Sequence, residues 1–267
     1  MQPLSLLREE HPCFGAPCGS RGRIHLPVAP RCNLSCAYCD RRWDCPNEAR
    51  PGVASALLTP EAAAKRALEA VKREPRIRVV GIAGPGDALC NEETFETLRE
   101  VRRSLPEVLL CLSTNGLLLA ERLEALLACG LDALTVTVNA ARPETGRKLC
   151  TGVVWRGDTL PDETGIPLLL EKQLLGIRAA AEAGLSVKVN TVLVPGVNDG
   201  ELGEIGERCR RAGAACMNVI PLIPCGRLSS SPPPTEAELR TARARAGRAL
   251  PQFTGCRRCR ADACGIL

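Results

Sequence analysis

Short apolar runs and segments with helical periodicity alternate along this chain of 267 residues. The apolar runs predict strands buried on both faces, as in a parallel sheet. The segments between them place apolar residues on one face, as Ala64, Ala67 and Val71 do after the helix start at Thr59-Pro60. Six strand-then-helix units predict an α/β fold: a partial (βα)6 TIM-type barrel with irregular, cysteine-bearing N- and C-terminal extensions.

The element boundaries divide the chain into three predicted parts. These are an N-terminal extension at 1–22, the partial barrel at 23–228, and a linker, last helix and cysteine tail at 229–267. Strands are predicted at Arg23–Ala29, Ile77–Ala83, Val108–Leu112, Ala133–Val138, Leu185–Val194 and Ala215–Ile220. Residues 1–22, 39–58 and 145–167 are predicted to be irregular, and a helix is predicted from Leu168. In such barrels the chemistry lies at the carboxyl ends of the strands.

The composition is that of a globular protein, with 45% hydrophobic and 24% charged residues. No apolar run approaches the roughly 20 residues that cross a bilayer, and the N-terminus lacks an export pattern, so we expect a cytoplasmic protein without membrane contact. The net charge of +5 is modest. Arginines crowd the C-terminal region, but without interleaved aromatic residues they do not predict nucleic-acid binding.

Cysteine is far more frequent than packing requires, with 16 residues. In a reducing cytosol, clustered cysteines more often bind metals than form disulfides. A disulfide framework would instead be typical of a short secreted chain. The cysteines therefore predict metal sites.

Cys32, Cys36 and Cys39 follow the first predicted strand in the spacing CxxxCxxC. Three thiolates on one loop hold three irons of a cubane and leave the fourth iron open for the amino and carboxylate groups of S-adenosylmethionine (SAM). Reduction of SAM there yields a 5′-deoxyadenosyl radical. A structural zinc site, the alternative, needs four ligands at a different spacing. The motif, with Tyr38 before its last cysteine, resembles the signature of the radical SAM superfamily.

Other positions match the superfamily pattern of SAM contacts. A glycine-rich turn follows the second predicted strand, and polar residues lie on or after the next three strands. The predicted cofactor-binding residues are Tyr38, Gly84, Pro85, Gly86, Asp87, Ser113, Asn115, Asn139 and Asn190. Each polar residue among them is equally suited to a structural cap, and the turn to a plain turn.

Longer segments resemble one family, the nitrogenase cofactor biosynthesis proteins NifB. They are His11–Phe14, Val28–Asn33, Asp44–Val53, Gly81–Asp87, Cys111–Gly116, Val194–Asp199 and Cys256–Ala263. The resemblance implies an enzyme that fuses two 4Fe–4S clusters and inserts a SAM-derived carbon and an extra sulfur. One SAM would methylate a cluster sulfide, and a second would yield the radical that removes a hydrogen from that methyl group.

The same resemblance implies two further 4Fe–4S precursor clusters and their ligands. Cys13, Cys256 and Cys259 would bind one precursor. Cys45 and Cys111 would bind the other, with His25 as a nitrogen ligand, although a lone histidine is by default a core residue. Asn47 and Glu48 are the predicted catalytic residues, and Glu48 is equally consistent with a surface carboxylate.

The implied partners are an iron–sulfur cluster donor scaffold, a cofactor carrier or downstream assembly scaffold, and an electron donor such as ferredoxin or flavodoxin. Two alternatives stay open from the sequence. One is a radical SAM enzyme that modifies a peptide or small molecule and carries auxiliary clusters. The other is an iron–sulfur carrier without catalysis. Cys18 and Cys264 lie outside the family motif.

Overall fold

The structure is a computed structural model that describes residues 4–40 and 48–267, with side chains from residue 7 onward. Within these residues the strands are Gly22–His25 (β1), Leu34–Cys36 (β2), Ile77–Ile82 (β3), Leu109–Thr114 (β4), Ala133–Thr137 (β5), Cys150–Trp155 (β6), Asp158–Leu160 (β7), Ser186–Leu193 (β8), Cys216–Pro221 (β9) and Cys264–Ile266 (β10). The helices are Leu4–Glu10 (α1), Pro60–Arg73 (α2), Glu92–Ser104 (α3), Leu119–Ala128 (α4), Pro143–Leu149 (α5), Asp162–Glu182 (α6), Leu202–Arg211 (α7) and Glu236–Gly247 (α8).

The main sheet has the strand order β10-β1-β3-β4-β5-β8-β9. The six strands from β1 to β9 are mutually parallel, and β10 pairs antiparallel with β1. This curled sheet with its helices confirms the predicted α/β partial barrel. β10 was not predicted. None of the described helices combines the length and the apolar character needed to span a membrane.

The strands of this sheet alternate between an apolar outer face and a polar inner face. Outward residues such as Val80, Leu110 and Leu134 are buried in one core with the helices. Inward positions of the same strands carry polar side chains, among them Lys188 and Asn190, which line a cavity. The strands are buried on both faces, as predicted, but their inner face adds polar side chains around a cavity to apolar residues such as Val79 and Leu109.

The N-terminal extension closes the amino-terminal end of this barrel. It contains α1, although it was predicted to be irregular. Leu7 and Phe14 pack against the first inward residues of the strands, Val79, Leu109 and Ala133. The apolar face of the extension covers the strand starts and brings Cys13 to the same end.

The predicted irregular stretch 145–167 is regular in large part. It contains most of α5, the strands β6 and β7, and the start of α6, which begins at Asp162 and not at Leu168. Pro167 lies inside α6. The helix continues through it because Ile166 and Leu169 are buried in a cluster with Leu34 and Val153, so tertiary packing outweighs the lost backbone hydrogen bond.

The C-terminal segment crosses the gap between the two edge strands β9 and β1. Phe253 N donates to the Met217 carbonyl of β9 at 2.7 Å, and eleven residues later β10 begins its pairing with β1. Cys256 and Cys259 lie between these two attachments. The segment therefore carries both cysteines across the opening of the half-barrel.

Two boundaries that concern the site differ from prediction. β1 ends at His25 and not at Ala29, because Pro27 cannot donate a ladder hydrogen bond. β4 extends to Thr114, so Cys111 lies inside the barrel instead of at the carboxyl end of its strand.

Candidate functional site

A cavity of about 360 Å³ lies inside the barrel. Around its carboxyl-terminal end lie the three cysteines of the CxxxCxxC loop and most of the predicted cofactor-binding residues. Deeper in the barrel lie the remaining described cysteines that were predicted as metal ligands, together with His25. The cavity-lining members of the predicted site are Cys13, His25, Cys32, Cys36, Tyr38, Cys39, Pro85, Gly86, Asp87, Cys111, Ser113, Asn115, Asn139, Asn190, Cys256 and Cys259.

The cysteine loop is held against the glycine-rich turn by backbone contacts. Gly86 N donates to the Ala29 carbonyl at 2.5 Å, and Asp87 N donates to the Arg31 carbonyl at 2.9 Å. A Cβ on Gly86 would lie 2.2 Å from the Arg31 oxygen, so the two chains approach closely enough to exclude any side chain there. The turn thereby sets the position of the loop that begins at Cys32.

Asp87 ties this turn to β4. Its carboxylate accepts hydrogen bonds from Leu89 N at 2.9 Å, Asn115 N at 2.6 Å and the Thr114 hydroxyl at 3.0 Å. Burial raises the pKa of Asp87, and these hydrogen bonds oppose that effect. Because its oxygens already have donors, the side chain acts on the cavity by fixing the turn and the end of β4.

Asn115 reaches the cysteine loop directly. Its Nδ2 donates to Asn33 Oδ1 at 2.7 Å and approaches Cys32 Sγ at 3.9 Å. An amide directed at a thiolate stabilises its negative charge. Asn139 binds Tyr38 instead, since its Nδ2 donates to the Tyr38 hydroxyl at 2.6 Å. These contacts orient the loop from two strands.

Two buried amides with an unpaired oxygen also line the cavity and were missed from the sequence. Asn218 Oδ1 and Gln173 Oε1 have no hydrogen-bond partner, while Asn218 Nδ2 donates to Asn190 Oδ1 at 3.1 Å. Buried acceptors without donors are costly. A ligand with hydroxyl or ammonium donors, such as SAM, fits these atoms.

His25 and Cys111 face the cavity beside Gly81. The His25 Nδ1 is 2.9 Å from the Arg260 carbonyl oxygen, which fixes a proton on Nδ1 and leaves Nε2 as an acceptor. Burial lowers the pKa of His25 to about 4, so the ring is neutral at neutral pH. A neutral imidazole whose other nitrogen is bound to a carbonyl is typical of a metal ligand.

Cys13, Cys256 and Cys259 come together from opposite ends of the chain. Cys13 follows α1, and the other two lie in the crossing segment. Burial raises the pKa of Cys259, and the nearby Arg23 guanidinium opposes that effect. Lys188 Nζ donates to the Cys13 carbonyl at 3.0 Å. Lys188 therefore lies next to the N-terminal cysteine of this set, and Arg23 lies next to its last cysteine.

Burial affects the thiols that line the cavity. It raises the pKa of Cys36 well above its usual range and that of Cys111 to about 12. These side chains are therefore thiols until a metal displaces the proton. Within 4–40 and 48–267, no group of three Cys, His, Asp or Glu side chains is arranged to hold a single metal ion.

The remaining predicted residues lie elsewhere. Cys45 and Asn47 fall outside the described residues. Gly84 precedes the cavity-lining part of its turn, with a φ of 129° that favours glycine. The Glu48 carboxylate pairs with Arg50, and its carbonyl accepts from Arg260, so Glu48 bonds at the rim and does not itself line the cavity.

The comparisons with known proteins agree with this geometry. The Radical SAM superfamily matches residues 26–209. The chain is 42% identical over 265 residues to the FeMo cofactor biosynthesis protein NifB of Klebsiella pneumoniae, covering 96% of this chain and 57% of that protein. It is 41% identical over 270 residues to the NifB of Methanocaldococcus infernus, covering 100% of this chain and 89% of that protein.

Solved structures share the fold at low sequence identity. A radical SAM methyltransferase from Sphaerobacter thermophilus gives a TM-score of 0.57 at 17% identity, over 88% of this chain and 64% of that one. Streptococcus suis SuiB bound to S-adenosylmethionine gives 0.61 at 14% identity, over 94% of this chain and 53% of that one.

The fold and the superfamily match define a radical SAM enzyme, a class whose members use a 4Fe–4S cluster and SAM. Within that class, the chain belongs to the family of FeMo cofactor biosynthesis proteins NifB. The chain spans 57% and 63% of the length of two of these relatives and 89% of a third.

Proposed function

We propose that this enzyme makes the iron–sulfur core of the nitrogenase cofactor by fusing two 4Fe–4S clusters with a SAM-derived carbon and an added sulfur. One observation carries the proposal. The triad Cys32, Cys36 and Cys39 lines the same cavity as four further predicted thiol ligands and one imidazole, which are Cys13, Cys111, Cys256, Cys259 and His25. An enzyme whose substrate is itself a cluster needs such ligands within reach of its radical.

In this proposal the triad holds the radical SAM cluster. When bound there, the cluster and SAM supply a methyl group and a 5′-deoxyadenosyl radical. Asn115 stabilises the thiolate of Cys32 through its amide, and Asn139 fixes Tyr38 beside the loop. The part of the cavity where SAM would bind is lined by Ser113, Asn190 and the unpaired oxygen of Asn218.

The two precursor clusters are substrates held by separate ligand sets. Cys13, Cys256 and Cys259 hold one of them. Cys111 and His25 hold the other together with Cys45, which lies outside the described residues. Each set has fewer protein ligands than a cubane has irons, so each substrate keeps an iron open for remodelling.

Glu48 and Asn47 are proposed to act at the rim of the cavity. In the structure, the Arg50 guanidinium pairs with the Glu48 carboxylate and also donates to the Asp40 carbonyl at 2.5 Å. Release of this pair would free a carboxylate near the cysteine loop to accept or donate a proton.

The proposed organisation follows the three predicted parts. Residues 1–22 and 229–267 bring cluster ligands to the barrel at 23–228. Proposed partners are an iron–sulfur cluster donor scaffold, an electron donor such as ferredoxin or flavodoxin, and a cofactor carrier or downstream assembly scaffold that receives the product.

The experiment is anaerobic reconstitution with iron, sulfide and SAM labelled in its methyl carbon. We expect about three 4Fe–4S clusters per chain and label inside an acid-labile iron–sulfur product. Cys256→Ser should lose one cluster and the labelled product but keep SAM cleavage. Cys18→Ser, an exposed cysteine outside the motif, is the matched control and should behave as wild type.

Label found only in methionine or S-adenosylhomocysteine would count against the assembly function. One cluster per chain with transfer of label to a peptide would favour a modifying enzyme instead. A reconstituted chain that fails to cleave SAM under dithionite would identify a carrier without catalysis.

A further inference from the structure

Two cations are buried inside the barrel. Arg23 is 3% exposed and Lys188 is 4% exposed, and both line the cavity. They lie at inward positions of β1 and β8, close to the amino-terminal end of those strands. Lysine and arginine are almost never fully buried unless they are paired with a negative group.

Neither cation has a carboxylate partner in the described part of the chain. Lys188 Nζ donates to the Cys13 carbonyl and lies 5.2 Å and 5.1 Å from the ring centres of Phe14 and Phe253. The Arg23 guanidinium lies near the Cys259 sulfur, and its Nε has no hydrogen-bond partner. The contacts that the two cations make in this part of the chain are with a backbone carbonyl, two aromatic rings and a cysteine side chain, and none is with a carboxylate.

Both cations lie beside the same cysteine set. Lys188 Nζ donates to the Cys13 carbonyl, and Arg23 lines the cavity next to Cys259. Their positive charges therefore fall on one group of ligands.

We propose that Arg23 and Lys188 form an anion-binding site that supplies the counter-charge for the iron–sulfur substrate on Cys13, Cys256 and Cys259. This inference rests on the ligand assignment of the proposed function. Three thiolates outweigh the positive charge of a cubane core, so the bound substrate is an anion. The chain places its two unpaired buried cations against the first and last cysteines of that set.

The site has a consequence for the chemistry of the bound substrate. Buried cations and N–H···S hydrogen bonds stabilise the reduced, more negative form of a cluster, which raises its reduction potential. Removing either cation should therefore weaken retention of the cluster and make it harder to reduce. A purely structural role, such as attaching Cys13 to β8 through Lys188, would change stability without changing the potential.

The test is a redox titration of the anaerobically reconstituted full-length chain, followed by electron paramagnetic resonance. Cys36→Ser and Cys111→Ser are added as a background, so that the cluster at Cys13, Cys256 and Cys259 dominates the signal. Arg23→Gln and Lys188→Met are compared with Arg23→Lys, which keeps the charge. The matched control is Arg243→Gln on α8, a part-buried arginine outside the cavity whose Nε is also unpaired.

We expect Arg23→Gln and Lys188→Met each to change the reduced-to-oxidised ratio at a fixed potential by about tenfold toward oxidised, which is about 59 mV for a one-electron couple. Arg23→Lys should restore much of this change, and Arg243→Gln should show none. Iron content measured after gel filtration should fall in the same order. Should Arg23→Gln fail to fold, Arg23→Lys and Lys188→Met carry the test.

The outcomes separate the inference from the function on which it rests. Unchanged potential and iron content in folded Lys188→Met and Arg23→Gln would overturn the anion site alone. Full iron content in a Cys256→Ser, Cys259→Ser double variant would overturn the ligand assignment, whatever the two cation variants show.

Discussion

His25 and Cys111 lie in one row of the sheet with only Gly81 between them. His25 is the register partner of Gly81 in β3, and Gly81 is the partner of Cys111 in β4. Neighbouring strands are about 4.8 Å apart, so the two outer backbones of the row are roughly 10 Å apart. Glycine puts no side chain into that interval. The gap left by the missing side chain is occupied by the His25 imidazole, whose Cδ2 and Nε2 would lie 3.2 Å and 3.7 Å from a Cβ on Gly81.

Gly81→Ala tests this gap. A Cβ at Gly81 would lie 3.2 Å from His25 Cδ2, so the methyl group would push the imidazole away from its position over Gly81. We expect the loss of about one cluster per reconstituted chain, with SAM cleavage retained at the triad. Iron and sulfide analysis measures the first quantity, and release of 5′-deoxyadenosine measures the second.

Gly200→Ala is the control for Gly81→Ala, because its added Cβ meets no atom within 4 Å. It should leave the iron content unchanged. A Gly81→Ala variant with the wild-type number of clusters would show that cluster binding does not depend on the position of the His25 imidazole.

Gly86→Ala should damage the triad itself. Its Cβ would collide with the backbone oxygens of Arg31 and Ala29, at 2.2 Å and 2.8 Å, and backbone cannot move aside as a flexible side chain does. We expect a loss of about 1–3 kcal/mol in the free energy of unfolding, as is usual for overpacking, and strongly reduced SAM cleavage. Urea unfolding of the metal-free chain and the 5′-deoxyadenosine assay check the two effects.

Gly203→Ala is the comparison for Gly86→Ala, since its nearest atom would be 3.8 Å away. Normal SAM cleavage by Gly86→Ala would mean that the glycine-rich turn does not position the cysteine loop.

Local sequence patterns were sufficient to predict the parallel strands and the helices between them. Strand and helix periodicity, the N-cap at Thr59 and the helix-ending glycines are all read within a few residues. The helix start at Asp162 was not predictable in this way. It depends on burial of Ile166 against Val153, a contact made across the sheet of β2, β6 and β7, and Pro167 argued against it locally.

The site shows the same division between local and long-range information. The triad has its own spacing and could be located from sequence. The cations Arg23 and Lys188 and the amide of Asn218 were missed, although a signal existed. Each of these polar residues alternates along its strand with apolar neighbours that face the other side of the sheet. This period of two predicts a polar inner face. Which cysteines meet across the chain depends on tertiary contacts.

Asp262 attaches the crossing segment to the barrel, and Asp262→Asn should loosen it. Its carboxylate accepts from Arg260 Nε at 2.8 Å and from Ser55 N at 2.6 Å, and the side chain is 10% exposed. We expect a loss of about 1–3 kcal/mol in the free energy of unfolding at pH 7, together with weaker iron binding at Cys256 and Cys259. Urea unfolding and iron analysis are the measurements.

The pH dependence of this effect has a definite sign. The Arg260 hydrogen bond holds the pKa of Asp262 well below its ordinary value of 3.8. The contribution is therefore complete above that value and is lost as the pH falls toward the lower folded-state pKa. The stability difference between wild type and Asp262→Asn should narrow from pH 7 to pH 3. A constant difference would contradict the assignment, and Glu69→Gln, which removes an exposed ion pair, should produce no measurable change.

Cys36 and Cys150 form a directly opposed pair in the antiparallel strands β2 and β6. Opposed residues in such strands have Cα atoms about 4.5–5.5 Å apart, which lies within the range of disulfides. In the metal-free chain, oxidised glutathione should therefore convert the two thiols to a disulfide and leave as two molecules of reduced glutathione. This removes Cys36 from the triad, so reconstitution of the radical SAM cluster should fail until a reductant is added.

Cys150→Ala separates this pair from cluster binding. The variant should bind the triad cluster and should keep most of that capacity after oxidant treatment, whereas Cys36→Ala should lose the cluster under all conditions. Peptide mapping by mass spectrometry identifies the linked residues. Cys209→Ala is the control, because Cys209 is a buried cysteine on α7 that does not line the cavity. Equal inactivation of wild type and Cys150→Ala, without a linked Cys36 peptide, would exclude the disulfide.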